Sequence, residues 1–212
     1  LNETVIDVHS VVSNLANNLD GKIFKAKAKK ILFSGDRVVG IDTSIGKLEC
    51  DELILAAGEG NEKILEDSNI DSFPMQRRPL AMGMVHMKKN IPDIYGHFLG
   101  TSSRPRITIS THYFKEKQVL YVGGEVSEIG VKLSDQEQKI QIDEFLRKAL
   151  GWIDLDIEKI DVLRVNRAEA KNKKVLKPDS FFLGRKKGLM VCWPTKLAFA
   201  PLIANSVLNK IN

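Results

Sequence analysis

The sequence predicts an α/β (α+β) fold in which an α/β frame is interrupted by an antiparallel sheet. Near both ends of the 212-residue chain, apolar residues at helical spacing accompany short apolar runs typical of buried strands. In the middle of the chain, strand patterns instead follow one another through short turns. A frame interrupted in this way indicates two interleaved domains, and we place their boundaries at 1–72, 73–165 and 166–212.

The first part of the chain predicts one helix followed by strands. Val5–Leu19 has helical apolar spacing, and Asp20-Gly21 ends the pattern. Strands are predicted at Lys22–Ser34, at Arg37–Thr43 and at Lys47–Ala57. The last of these ends in a continuous apolar run, which suits a buried parallel strand of the α/β frame.

The remaining elements alternate between strands and helices. Phe73–Pro79 contains two prolines and two arginines, and we interpret it as the crossing into the inserted domain. Ser134 and Glu137 form a capping-box pattern, and Pro201 predicts a kink in the last helix. The predicted elements are strands at Leu80–Met87, Arg106–Tyr113, Gln118–Gly124, Ile160–Val165 and Gly188–Cys192, and helices at Ser134–Leu150 and Thr195–Ile211.

Composition restricts the class of function. The chain is 43% hydrophobic and 28% charged, which is ordinary for a soluble globular protein, and no apolar run is long enough for a membrane span. Cys50 and Cys192 are isolated, so no metal site is predicted and two reduced thiols in a cytoplasmic protein are expected. The net charge is +5, yet the basic runs Lys22–Lys30 and Lys171–Lys177 carry almost no aromatics, which argues against nucleic acid.

The segment Cys50–Leu65 joins a strand to a helix through small residues. Ala56–Gly58 lets a ligand approach the backbone closely, and its glycine permits a turn with positive φ. A helix starting just after Gly60 favours an anion at its N-terminus. This is not a dinucleotide fingerprint, because Lys63 stands where the third glycine belongs.

A second motif, Trp193–Pro201, lies between a predicted buried strand and the last helix. Free backbone amides at a helix start, together with the charge of Lys196, suit a group that becomes anionic during a reaction. The plainer alternative is a capped terminal helix with Lys196 in solvent.

Two arginines are candidates for binding a substrate carboxylate. In an extended strand, Arg164 and Asn166 share one face, and a guanidinium matches two carboxylate oxygens. Arg167 is the second candidate, and an ion pair with Glu169 or Asp161 is the alternative role.

The four histidines form no local catalytic signature. His112, in the strand pattern ITISTHYF, is the one that could face a cavity and act as an acid or base.

The order of these motifs resembles the middle and C-terminal part of FAD-dependent oxidoreductases of the D-amino-acid oxidase and glycine oxidase superfamily. The resemblance rests on VIDVHSVVSNLANNL, on KIFKAKAKKI after Gly21, on RVVGIDTSIG and on CDELILAAGEG, and it extends from about Val5 to Ile211. It implies a partial FAD-binding α/β layer (1–72), an inserted antiparallel-sheet domain that binds the substrate (73–165) and a return to the FAD-binding domain (166–212).

The resemblance also implies roles for particular residues. Catalysis falls to Lys196 and to Arg164 or Arg167, in hydride transfer to FAD from a small amine, amino acid or hydroxy acid, including carboxylate-bearing ones. The implied cofactor-binding residues are Ala28, Ala56, Ala57, Gly58, Trp193, Pro194, Thr195, Lys196 and Leu197.

The chain departs from the family in two places. The N-terminal βαβ unit with its Gly-rich phosphate loop has no counterpart in these residues, and the first residue is Leu1. We therefore expect a fragment that retains little FAD alone and needs the missing segment or another subunit as a partner. In addition, Trp193-Pro194-Thr195-Lys196 stands where many members have a Gly-His-containing turn. The alternatives are a non-catalytic basic binding domain and one subunit of a split flavoenzyme.

Overall fold

A computed structural model describes residues 5–101, 105–171 and 180–211. Its helices and sheets confirm the mixed α/β prediction. The chain divides into two units: the first comprises residues 1–77 and 167–212, and the second comprises residues 78–166. Within the described ranges, no helix is long and apolar enough to cross a membrane.

The secondary structure consists of five α-helices and eleven strands in these ranges. The helices are α1 (Val8–Asn17), α2 (Gly60–Asp67), α3 (Glu125–Ile129), α4 (Asp135–Ala149) and α5 (Ala200–Ile211). The strands are β1 (Ala28–Ser34), β2 (Arg37–Thr43), β3 (Gly46–Glu49), β4 (Leu53–Leu55), β5 (Met75–Met87), β6 (Tyr95–Leu99), β7 (Pro105–Phe114), β8 (Lys117–Gly123), β9 (Ile157–Ala170), β10 (Phe182–Lys186) and β11 (Leu189–Trp193).

The first unit contains two small sheets. One is the antiparallel sheet β1-β2-β3, and the other has the order β10-β11-β4, in which β4 and β11 are parallel. Strand β11 is buried along its whole length, because its two faces pack into separate apolar clusters. One cluster joins Met190 and Cys192 to Ile203 and Val207 of α5. The other consists of Ile31, Val38, Leu55, Ile64, Leu65, Phe73, Leu189, Val191 and Trp193.

The predicted single strand Lys47–Ala57 is wrong, since it is two strands in different sheets. The Cys50 amide donates to the Val39 carbonyl at 3.1 Å, just beyond the last residue pair of β2 and β3. After a short break, the Leu53 amide donates to the Gly188 carbonyl at 2.8 Å and opens the second sheet. The parallel pairing expected for the apolar run is confirmed, but it involves only β4.

The strand predicted at Lys22–Ser34 begins only at Ala28, because its partner β2 ends at Thr43. The expected helix kink at Pro201 is also wrong. Helix α5 begins at Ala200, so Pro201 lies in its first turn, where no intrahelical partner exists for a backbone N–H. Of the basic run Lys171–Lys177, residues 172–177 lie outside the described ranges.

The second unit is built on strands of the five-stranded sheet β6-β7-β8-β5-β9. Helix α4 covers one face of these strands and buries Ile142 and Leu146 among residues of β5, β7 and β8. The predicted capping box at its start is confirmed: the Ser134 amide donates to Glu137 Oε2 at 2.8 Å, and the Glu137 amide donates to Ser134 Oγ at 3.3 Å. The carboxylate accepts hydrogen bonds from the Ser134 hydroxyl, at 2.7 Å, and from the Ser134 amide, and these lower the pKa of Glu137.

Three elements have no counterpart in the prediction: β6, α3 and β10. Strand β5 is longer than predicted and runs through the proposed crossing Phe73–Pro79 from Met75 onwards. Its pairing with β8 occupies only Gly83–His86, so Pro79 interrupts no hydrogen bond of that pair.

Candidate functional site

The parallel pairing of β4 with β11 brings the two strand-end motifs together. Leu53 lies opposite Leu189, and Leu55 lies opposite Val191. Parallel strands end at the same edge of a sheet, so the turn Ala56–Gly58 and the segment Trp193–Leu197 leave that edge side by side. We call this arrangement the strand-end site. The sequence predicted both motifs, and the structure shows that they are neighbours.

Asn61 links the ends of β4 and β11 through side-chain hydrogen bonds. Its side chain is completely buried in the first turn of α2. Its Oδ1 accepts a hydrogen bond from the Ala57 amide at 2.8 Å, and its Nδ2 donates to the carbonyls of Leu55 (3.4 Å) and Cys192 (3.2 Å). One amide side chain therefore fixes both segments. This role of Asn61 was not predicted from the sequence. The signal that could have indicated it is an amide side chain shortly after Ala-Ala-Gly.

Replacing Asn61 with alanine is expected to destabilise the first unit by about 1–3 kcal/mol, because buried backbone groups lose their partners. Chemical denaturation followed by circular dichroism measures this change. Asn14→Ala, at an exposed position of α1, is the matched control and should change stability by less than about 0.5 kcal/mol. Equal effects of the two substitutions would contradict the role of Asn61.

Trp193 makes a second connection within the site. Its side chain is completely buried, and its ring lies 5.5 Å from that of Phe182, measured between centroids. The indole Nε1 donates to the Gly58 carbonyl at 2.9 Å. Gly58 has φ 59°, so its predicted positive φ is confirmed. The Trp193 ring thus lies in the core and connects it to the turn at Gly58.

The segment after β11 is not yet helical where the sequence predicted the last helix. Thr195 has φ 61°, a strained conformation for a β-branched residue, and its hydroxyl donates to the Ser180 carbonyl at 2.9 Å. A 3₁₀ turn at Leu197–Phe199 precedes α5. The Lys196 amide already donates to the Pro194 carbonyl, so it is not a free helix-start donor.

The side chain of Lys196 is an exposed positive charge at this edge. Its Nζ lies 5.7 Å from the ring centroid of Phe199, within the range of a cation–π interaction. Pro194 and Leu197 beside it are also exposed. Ala28, the remaining implied cofactor contact, is half-buried at the start of β1 and faces Thr43 in the ladder.

The two candidate arginines differ in their partners. The guanidinium of Arg164 contacts Asp135 at 2.8 and 2.9 Å and donates to the carbonyls of Leu133 (2.6 Å) and Val131 (3.4 Å). Asp135 is therefore its ion-pair partner, in place of Asp161 or Glu169. Arg167 is half-buried and forms no hydrogen bond or ion pair with residues in the described ranges. Strand alternation places it on the opposite side of β9 from Arg164.

In the second unit, His112 lines a cavity of about 490 Å³, as expected from the sequence. Its Nε2 lies 2.9 Å from Ser110 Oγ, and its ring meets that of Tyr121 edge-on at 6.0 Å. His86 lines the same cavity, with its Nε2 3.0 Å from Asp161 Oδ2. No cluster of three or more potential metal ligands exists among the described residues.

The architecture is also found in a dehydrogenase and an oxidase of known structure. L-proline dehydrogenase from P. horikoshii superposes with a TM-score of 0.60 at 12% identity, covering 87% of this chain and 49% of that one. Glycine oxidase from Bacillus cereus gives a TM-score of 0.51 at 17% identity, covering 79% and 43%. At these identities the likeness shows the fold alone. No family model matches the chain.

A particular relative is much more similar. The crystal structure of the FAD-dependent oxidoreductase PA4991 from Pseudomonas aeruginosa has a TM-score of 0.87 at 34% identity, covering 98% of this chain and 57% of that one. Its curated sequence, named "Probable FAD-dependent oxidoreductase PA4991", is 36% identical over 213 residues, covering all of this chain and 54% of the relative. The chain thus spans about half the length of the curated relative that it matches. The resemblance to FAD-dependent oxidoreductases is confirmed.

Proposed function

We propose that this chain is part of a flavin-dependent oxidoreductase that oxidises a small amine, amino acid or hydroxy acid by hydride transfer to FAD. The observation that carries the proposal is the strand-end site, where the ends of β4 and β11 are held side by side by Asn61. In open α/β sheets, ligands bind outside the carboxyl ends of the strands. The proposal accordingly assigns this edge of the first unit to FAD.

The residues at the site fit a flat polar group. Ala56 and Ala57 are exposed and small, and no atom lies within 4 Å of where a Cβ on Gly58 would be, so a ligand can approach the backbone here. The strained φ of Thr195 supports a role of this segment in ligand binding, because residues held in rare conformations concentrate at ligand sites. FAD, when bound, supplies the acceptor for the hydride.

Lys196 supplies the positive charge of the site. A fixed cation stabilises negative charge on a ligand, and it does so more strongly when water is excluded. The Lys196 amide is hydrogen-bonded to the Pro194 carbonyl. The donors that remain for a ligand in this segment are therefore the Lys196 ammonium group and the amides of Thr195 and Leu197. We propose that these groups hold the polar edge of FAD.

Residues 73–165 are proposed to form the substrate-binding domain. Arg167, which follows this domain in the chain, is proposed as the cation that binds a substrate carboxylate. Arg164 is engaged by Asp135 and two carbonyls, so a substrate would have to displace these partners. Arg167 has no competing partner among the described residues. The structure thus favours Arg167 where the sequence left both arginines open.

Arg167→Met is expected to raise KM for a carboxylate-bearing substrate about 10–100-fold, as loss of a charge-assisted hydrogen bond should do. Arg164→Met should leave KM within about twofold and lower thermal stability instead, because it removes a contact to the start of α4. Steady-state kinetics of the flavin-loaded full-length protein separates the two. A large KM effect in Arg164→Met alone would reverse the assignment.

We also propose that these 212 residues retain little FAD and show no oxidase activity by themselves. The sequence contains no G-x-G-x-x-G phosphate loop, and Gly58-x-Gly60 does not replace one. The proposed partner is a Gly-rich FAD-binding segment, in the same chain or in another subunit.

The proposed function is tested by mixing the flavin-loaded full-length protein anaerobically with amines, amino acids and hydroxy acids. At least one of these classes should abolish the visible absorption of the oxidised flavin. If strong chemical reductants bleach the flavin but none of the three classes does, the proposed reaction is wrong.

A further inference from the structure

The cavity in the second unit has one carboxylate in a largely apolar wall. It lies on the side of the strands away from α4, and its wall is formed largely by Met84, Phe114, Val119 and Tyr121. A volume of about 490 Å³ is in the range of small-molecule sites. No lysine or arginine lines it within the described ranges, and Asp161 is the only acidic residue that does.

Asp161 can accept a further hydrogen bond. Its Oδ2 lies 2.7 Å from Lys159 Nζ and 3.0 Å from His86 Nε2. Its Oδ1 has no partner in the described part of the chain. The hydrogen bond from Lys159 lowers the pKa of Asp161, so the carboxylate is ionised at neutral pH.

Two histidines in the wall, His86 and His112, add polar ring nitrogens to the cavity. His86 Nε2 is buried and lies 3.0 Å from Asp161 Oδ2, without the alignment of a good hydrogen bond. His112 shares its Nε2 with the Ser110 hydroxyl. A polar ligand atom with better alignment would improve the hydrogen bonding of this buried ring nitrogen.

We propose that this cavity binds an aromatic amine, with the amine donating to Asp161 and the ring lying against Met84, Phe114 and Tyr121. An acid of the same shape would place its carboxylate against Asp161 and is rejected. The amine is a substrate only if the proposed function holds, and in that case the cavity selects its aromatic, amine-bearing part. Binding itself requires no flavin.

The test uses the 212-residue chain labelled with ¹³C at its methionine methyl groups. 2-Phenylethylamine is titrated in, and 3-phenylpropanoate, of the same shape but opposite charge, is the matched ligand. The amine should shift the Met84 methyl resonance, assigned with Met84→Leu, and should bind at least about tenfold more tightly than the acid.

Two variants identify the charge that is responsible. Asp161→Asn should reduce amine affinity about tenfold or more while leaving the circular dichroism spectrum unchanged. Lys159→Met removes the neighbouring cation and should leave amine binding unchanged or stronger. Equal binding of the two ligands, tighter binding of the acid, or no shift of Met84 with either ligand overturns the proposal. Because no flavin takes part, such a failure is distinct from a failure of the proposed redox function.

Discussion

Replacing Trp193 with alanine is expected to lower the free energy of unfolding of the first unit by about 3–5 kcal/mol. Trp193 ends β11, the middle strand of its sheet, and its completely buried side chain packs against Phe182. Alanine would leave a cavity in the core cluster and would remove the partner of the Gly58 carbonyl. This is the largest stability effect that we expect from a single substitution at the strand-end site.

Trp193→Phe separates packing from hydrogen bonding. It keeps an aromatic ring in the core but cannot donate to Gly58, so we expect a smaller loss of about 1–3 kcal/mol. Trp152→Ala is the matched control, because the Trp152 side chain is 72% exposed and should cost no more than about 0.5 kcal/mol. Urea denaturation followed by circular dichroism compares the three. If Trp193→Ala costs no more than Trp152→Ala, the description of the core is wrong.

Local signals were enough to predict several elements. Ser134 and Glu137 lie three residues apart, so the start of α4 could be placed from the sequence. Strand β2 was predicted with its observed bounds, since turns flank it on both sides. The β7–β8 hairpin was also anticipated, because a short polar turn joins two alternating runs.

Non-local pairing explains what could not be predicted. β4 has three residues, and its membership of a sheet is decided by β11, more than a hundred positions away. The predicted strand Lys47–Ala57 had no local sign that its two halves enter different sheets. The bonds of Asn61 to both strand ends likewise depend on that pairing.

In the candidate site, too, local features could be predicted from the sequence and non-local contacts could not. The motifs Ala56–Gly58 and Trp193–Leu197 could be found from the sequence because each joins a strand to a following helical segment. Their adjacency could not, and neither could the engagement of Arg164 by Asp135. An arginine in a strand can face either way, and only the position of α4 decides its partner.

Lys196→Met is expected to slow substrate-dependent flavin reduction about 10²-fold in the flavin-loaded full-length protein. A single preorganised donor contributes about 3 kcal/mol to a reaction in which negative charge develops next to it. Methionine has about the length and apolar character of the lysine stem, so it removes the charge while keeping most of the packing near Phe199. The reduction potential of the flavin should become more negative, because the protein no longer favours the added negative charge.

Lys210→Met is the matched control for this substitution. Lys210 is an exposed lysine in the last turn of α5, at the opposite end of that helix from the strand-end site. Its loss removes the same unit of charge from the protein but not from the site. Both the reduction rate and the potential should therefore stay at the values of the unsubstituted protein.

The measurement that tests the assignment of the strand-end site to FAD most directly is anaerobic flavin reduction in Lys196→Met, followed by stopped-flow absorption and by redox titration. We expect slower reduction and a more negative potential in Lys196→Met, with Lys210→Met unchanged. An unchanged rate and potential in Lys196→Met would contradict it.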